Sequence, residues 1–184
     1  MTATDPIVIC SARRTPLGAF TGALASVPAP MLGATAIAAA LEDAGVDPTG
    51  VGEVLMGCVL PAGQGQAPAR QAARFAGLPD HVGATTVNKV CGSGMKAIMT
   101  AADLLSLGRA DLIVAGGMEA MSRAPHLLAA LRGGRKSGEA TLVDHMMHDG
   151  LEDAYEAGRS MGSFGKATAW EYGFTRKDQD AFAI

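Results

Sequence analysis

The residues of this chain with the most chemistry to offer lie in one short stretch, TTVNKVCGSGMKAIMTAADLL at 85–105. A β-branched run leads into Cys91, then Gly92-Ser93-Gly94, then a helical pattern. The first N–H groups of a helix lack intrahelical partners, and the helix dipole is positive at that end. An anion is favoured there, so a thiol at that point is favoured as thiolate, its nucleophilic form. Gly92 and Gly94 let another backbone or a substrate come close. This is how a fold presents an activated nucleophile. Two other readings stand beside it. Free cysteine is commonly a buried core residue. GSGMKA also fits the loose dinucleotide pattern G-x-G-x-x-A, which needs an acidic residue at the end of the next strand. Here the next apolar run ends in Val114-Ala115-Gly116-Gly117, and Asp111 sits at its start.

Other polar residues have plainer explanations. His145 and His148, three apart in DHMMHD, can share a helix face. A zinc site needs three or four ligands, and no further His or Cys cluster is offered, so loop packing is expected and no metal. Arg13, Arg14 and Lys136 suit phosphate groups but read more simply as scattered surface charge. Cys10 and Cys58 fall in apolar runs and read as inert core. Asn88 and Lys89 flank the Cys91 turn and read as its polar support. Glu119 and Ser122 are expected to order a loop or a subunit contact. The ten methionines read chiefly as core filler.

The elements that must position these residues alternate in type. Residues 7–10 read as a short buried strand. Residues 31–44 are Ala-rich with helical spacing, and Gly45 stops them. Strand-like 51–59 is followed by a helix at 67–76 closed by Gly77. Strand 85–90 is followed by a helix at 92–107 stopped by Gly108, and 111–115 is a further strand. Alternation of this kind implies an α/β layered domain with parallel pairing. From about residue 120 the periodicity weakens, and 121–165 reads as loop-rich, with a functional or interfacial role. TRKDQDAFAI opens as a helix with Thr175 as N-cap and Asp178 three residues on, then breaks off within its third turn.

Composition excludes several classes. Of 184 residues 48% are hydrophobic, which rules out wholesale disorder. The net charge of −3 offers no basic surface for nucleic acid or an anionic membrane. Charged residues are only 18%, so large buried faces, including a subunit interface, are expected. Three widely spaced cysteines make no disulfide framework and point to a reducing, cytoplasmic setting. No secretory pattern or membrane-length apolar run is visible.

VNKVCGSGMKA resembles the active-site segment of the thiolases, the acetyl-CoA C-acetyltransferase and 3-ketoacyl-CoA thiolase family. ICSARRTPLGAFTGAL at 9–24 resembles the family's opening, GEVLMGCVLPAGQGQAPARQAA at 52–73 its second block, and DLIVAGGMEAMSRAPHLL at 111–128 its third. DHMMHDGLEDAY at 144–155 and YGFTRKDQDAFA at 172–183 are similar to its covering loop domain. The short-chain acetyl-CoA acetyltransferase branch looks closest. The resemblance implies a layered α-β-α domain with a mixed, mostly parallel five-stranded sheet over 1–120. The start of a truncated loop domain follows over 121–184, and a second core domain is absent. It implies ping-pong acyl transfer in fatty acid metabolism, with Cys91 acylated and Cys91 and Gly92 forming the nucleophile and oxyanion turn. The backbone N–H of Cys91 would be one oxyanion donor. Met161 would line the acyl pocket. Acyl-CoA and CoA would be substrates, with no cofactor and no metal, and the protein would be a homodimer or homotetramer.

Two departures qualify this. The family's further catalytic residues are the His of a Gly-His-Pro motif, the Asn of an Asn-Glu-Ala-Phe-like motif, and a second Cys. None is matched here, which implies that the chain alone does not turn over. Ser160 also stands where many biosynthetic members carry His, and Phe164-Gly165-Lys166 replaces the usual Thr-Ala-Glu. Two alternatives follow: a ketoacyl-synthase-like condensing enzyme, or a non-catalytic half that oligomerises or complements a second half.

Overall fold

The computed structural model describes residues 6–129, 131–134 and 136–184. Its contacts divide the chain into two units, Met1–Pro125 and His126–Ile184.

The first unit holds helices α1 (Ala29–Ala44), α2 (Pro68–Phe75) and α3 (Ser93–Ser106) and strands β1 (Glu53–Gly57), β2 (Gly83–Val87) and β3 (Ile113–Gly117). The strands form one parallel sheet in the order β2-β1-β3, with Leu55 opposite Thr85 on one side and Ala115 on the other. A central parallel strand is covered on both faces and reads as an unbroken apolar run. Val54-Leu55-Met56 is that run, and all three residues are buried. Val54 and Met56 point into a core shared with Ile37 and Leu41 of α1 and Ala69, Ala72 and Ala73 of α2. Leu55 points the other way, onto Ala97 and Ala101 of α3. The result is the α-β-α layering expected. Gly45 ends α1 in the left-handed region at φ 63°, and Gly108 follows α3 at φ 62°.

The buried face of α3 is built from small residues. Ser93, Ala97 and Ala101 are buried and recur every four residues, so they share one side. That side lies directly on the sheet. Gly57, at the end of β1, has no room for a side chain. A Cβ there would stand 2.7 Å from Gly94 N, Ser93 C and Ser93 Cβ.

Two expectations need correction. The sheet has three parallel strands among the described residues, not a mixed five. Residues 7–10 form no strand, and Ile7, Val8, Ile9 and Cys10 are all exposed. An apolar run becomes a strand only when a neighbour takes its N–H and C=O groups, and none of the three strands pairs with it. Cys10 is therefore not a core residue.

The second unit pairs β4 (His126–Leu127) with β5 (Val143–Asp144) antiparallel. A π-helical turn, Met146–Leu151, and helices α4 (Met161–Glu171) and α5 (Arg176–Ala183) follow. The reading of 121–165 as loop-rich left α4 unmarked, because it carries Gly162 and Gly165 and buries none of its residues. α5 opens with the full capping box. Thr175 Oγ1 accepts from the Asp178 N–H at 3.2 Å, and the Asp178 carboxylate accepts from the Thr175 N–H at 2.9 Å. The Thr175 hydroxyl and N–H hold the Asp178 carboxyl below its ordinary pKa.

Gly57→Ala tests the close approach of α3 to the sheet. The obstructing atoms are mostly backbone and do not swing aside. The variant is expected to lose about 1–3 kcal/mol or more of stability in urea denaturation. An unchanged midpoint contradicts the packing described.

Candidate functional site

The turn between β2 and α3 is tied at several points. β2 ends at Val87. Asn88 Oδ1 then accepts from the Val90 N–H at 2.9 Å, and Asn88 Nδ2 donates to Val59 O at 3.4 Å. Val90 takes φ +48°, a left-handed conformation unusual for a β-branched residue. The Gly92 N–H returns to Lys89 O and the Ser93 N–H to Val90 O, each at 3.1 Å. Gly92 is the N-cap of α3, so Cys91 stands immediately outside the helix start with its thiol exposed. Gly92 sits in the same turn. Asn88 thus supports the turn through its side chain, and Lys89 through its backbone.

Cys91 opens into a cleft of about 580 Å³. Gly57 and Gly117 border it at the strand ends and Gly94 in the first turn of α3, and Met118, Leu24 and Phe20 give it apolar walls. One wall is the irregular strap at residues 13–24, which carries little regular structure of its own. It is held from outside. The Thr21 N–H donates to Ser122 Oγ at 2.8 Å, and Arg123 Nη1 donates to Ser26 O at 3.2 Å. Asp43 accepts from Ser11 Oγ at 2.6 Å and pairs with Arg13. Those two contacts, the Ser11 hydroxyl first, hold the Asp43 carboxyl below its ordinary pKa. Arg13 and Arg14 both line the cleft.

Another part of the lining is fixed by Glu119. Its carboxylate accepts the N–H groups of Val59 at 2.8 Å and Leu60 at 3.2 Å, pinning the chain that leaves β1. Glu119 and Ser122 therefore order loops within this unit. Cys58 lies beside that carboxylate, 1% exposed. Burial, and then the charge of Glu119, push its thiol up to about 11. It is an inert core residue, as its apolar surroundings suggest.

Met161 is the first residue of α4 in the second unit, 40% exposed. His145 is buried, and its Nδ1 lies 2.5 Å from Asp149 Oδ2. Among the described residues no group of three or more His, Cys, Asp or Glu side chains could hold a metal ion. No described helix is long and apolar enough to cross a membrane. The sequence reading missed the anchoring of the strap. Thr21 and Ser122 are 101 residues apart, and no local pattern links them.

The family described as "Thiolase, N-terminal domain" matches residues 7–184. The acetyl-CoA acetyltransferase of Cupriavidus necator is 56% identical over 97% of this chain, which covers 45% of that protein. Acetyl-CoA acetyltransferase 2 of Arabidopsis thaliana is 52% identical over 97% of the chain and 44% of its own length. The acetyl-CoA acetyltransferase of Chromobacterium violaceum is 51% identical over 97% of this chain, which covers 45% of that protein. The chain thus spans less than half the length of these relatives.

The three cysteines differ enough to be told apart. At pH 8 iodoacetamide is expected to modify exposed Cys91 and Cys10 and spare Cys58, read by peptide mass spectrometry. Labelling of Cys58 at the rate of Cys10 contradicts the burial described. The raised Cys58 pKa also has a stability consequence. Its contribution is fully present below pH 9.0, the ordinary thiol value, and is lost as pH rises toward about 11. Cys58→Ala should therefore flatten the alkaline decline in stability over that window.

Proposed function

The chain belongs to the thiolase family through its N-terminal domain, and from that membership we propose that it supplies the acyl-accepting cysteine of an acetyl-CoA acetyltransferase. The observation that carries the reading is the exposed thiol of Cys91 at the N-terminus of α3, opening into an apolar cleft. In the cleavage direction the Cys91 thiolate attacks the 3-keto carbonyl of acetoacetyl-CoA. The bond between that carbonyl and C2 breaks. Its electron pair leaves with acetyl-CoA as an enolate, which takes a proton, and the acetyl group stays on sulfur. A CoA thiolate then attacks the acetyl-cysteine and releases a second acetyl-CoA. Condensation runs the same steps in reverse.

Each step makes a demand the N-terminal unit answers in part. The tetrahedral intermediate carries an oxyanion, and backbone N–H groups at a helix start are suited to it. The Cys91–Gly92 turn is our choice for that role. Thiolate attack and thiolate departure are closely matched, so the transfer asks for no redox or metal cofactor. Met161 is our choice for the acyl-pocket wall. CoA and acyl-CoA are the substrates in this reading. A base must still activate Cys91, and another must take the α-proton. We assign both to family motifs that this chain does not match, so the chain alone is not expected to turn over. The outer face of α3 supports an incomplete half. Met95, Ile98 and Met99 are 71%, 53% and 53% exposed there, a contiguous apolar surface suited to a second core domain or subunit.

Incubation with acetoacetyl-CoA and no free CoA, followed by intact-protein mass spectrometry, tests the assignment. One acetyl increment is expected on the wild type and none on Cys91→Ala. An increment that survives in Cys91→Ala rules out Cys91 as the acceptor.

A further inference from the structure

Ser93 is one of two buried polar or charged side chains among the described residues, at 3% exposed. Its hydroxyl uses both of its bonding capacities inside one turn. Oγ accepts the Lys89 N–H at 2.8 Å and donates to Val90 O at 2.6 Å. These bonds bracket Val90, the residue at φ +48°. A β-branched residue in that region is strained by about 1–3 kcal/mol and persists only where its surroundings over-determine it. The Ser93 hydroxyl, the Ser93 N–H and the Asn88 carboxamide supply that constraint.

The consequence falls on the next peptide. Val90 C=O and the Cys91 N–H belong to one planar trans unit, so they point in opposite directions. Ser93 holds the Val90 oxygen toward the buried start of α3. The Cys91 N–H is thereby turned the other way. We propose that Ser93 is a positioning residue: its hydroxyl orients the Val90–Cys91 peptide so that the Cys91 N–H is presented to the oxyanion of the acyl group. This rests on the reading of Cys91 as the acylated nucleophile. A Cβ on Gly57 would stand 2.7 Å from Ser93 Cβ, so this part of the helix start lies directly on the end of β1.

The test compares two reactions of the same sulfur, in the polypeptide that carries this chain with every other residue intact. Acylation by acetoacetyl-CoA passes through an oxyanion, whereas alkylation by iodoacetamide does not. Ser93→Ala is expected to slow acylation of Cys91 by about tenfold or more, as loss of an aligned oxyanion donor does, with alkylation of Cys91 within about twofold. Cys58 should stay unlabelled, which reports an intact core. Ser93→Cys, with similar volume and a weaker donor, should fall between Ser93→Ala and wild type. It decides the matter if Ser93→Ala exposes Cys58. Acylation within about twofold of wild type in both variants overturns the inference. So does an equal fall in acylation and alkylation, which marks a merely structural role. Absence of acetyl on wild-type Cys91 overturns the parent reading, and this one with it, before any variant is compared.

Discussion

The distance between α3 and the sheet is the constraint from which the site follows. A helix lies this close to strand ends only where neither surface carries side chains of any size. Gly57 and Gly117 end two adjacent strands, and Gly94 lies in the first turn of α3. A Cβ on Gly117 would already touch Gly57 O and Gly94 Cα, each at 3.5 Å. Ser93, Ala97 and Ala101 continue the same small face along the helix. Because the helix start sits on the strand ends, the chain leaving β2 must turn sharply to enter it. The turn forces Val90 into the left-handed region and pushes Cys91 out of the core.

The cleft follows from that placement. Its floor is backbone, because the glycines leave nothing else there. Its walls come from chain segments with little structure of their own, so they are held by side-chain bonds. Glu119 pins the chain beyond β1, and Ser122 and Arg123 hold the strap. The environments of the two thiols then diverge. Cys58, beside a carboxylate in the core, is kept protonated. Cys91 faces solvent at the positive end of a helix dipole.

Much of this was legible in the sequence, for identifiable reasons. α1, α2 and α3 are marked by helical spacing and by Gly45, Gly77 and Gly108, whose φ values are all positive. β1 is marked by its apolar run, and Cys91 by its place between a strand and a glycine-rich helix start. What was not legible depends on partners far along the chain. Residues 7–10 carry strand composition, but pairing is a property of two segments. The roles of Ser93 and Val90 depend on backbone angles that residue type does not disclose, since valine is an unfavourable choice for φ +48°. α4 was hidden because it buries no face and so leaves no period.

A crystal structure of the protein quenched after brief exposure to acetoacetyl-CoA bears most directly on this account. It should show an acetyl thioester on Cys91 Sγ, its carbonyl oxygen about 3 Å from the Cys91 N–H at the start of α3. An acetyl group on Cys10, or a thioester on Cys91 whose oxygen meets no backbone N–H, would contradict the claim that the close approach of α3 to the sheet builds the nucleophile site.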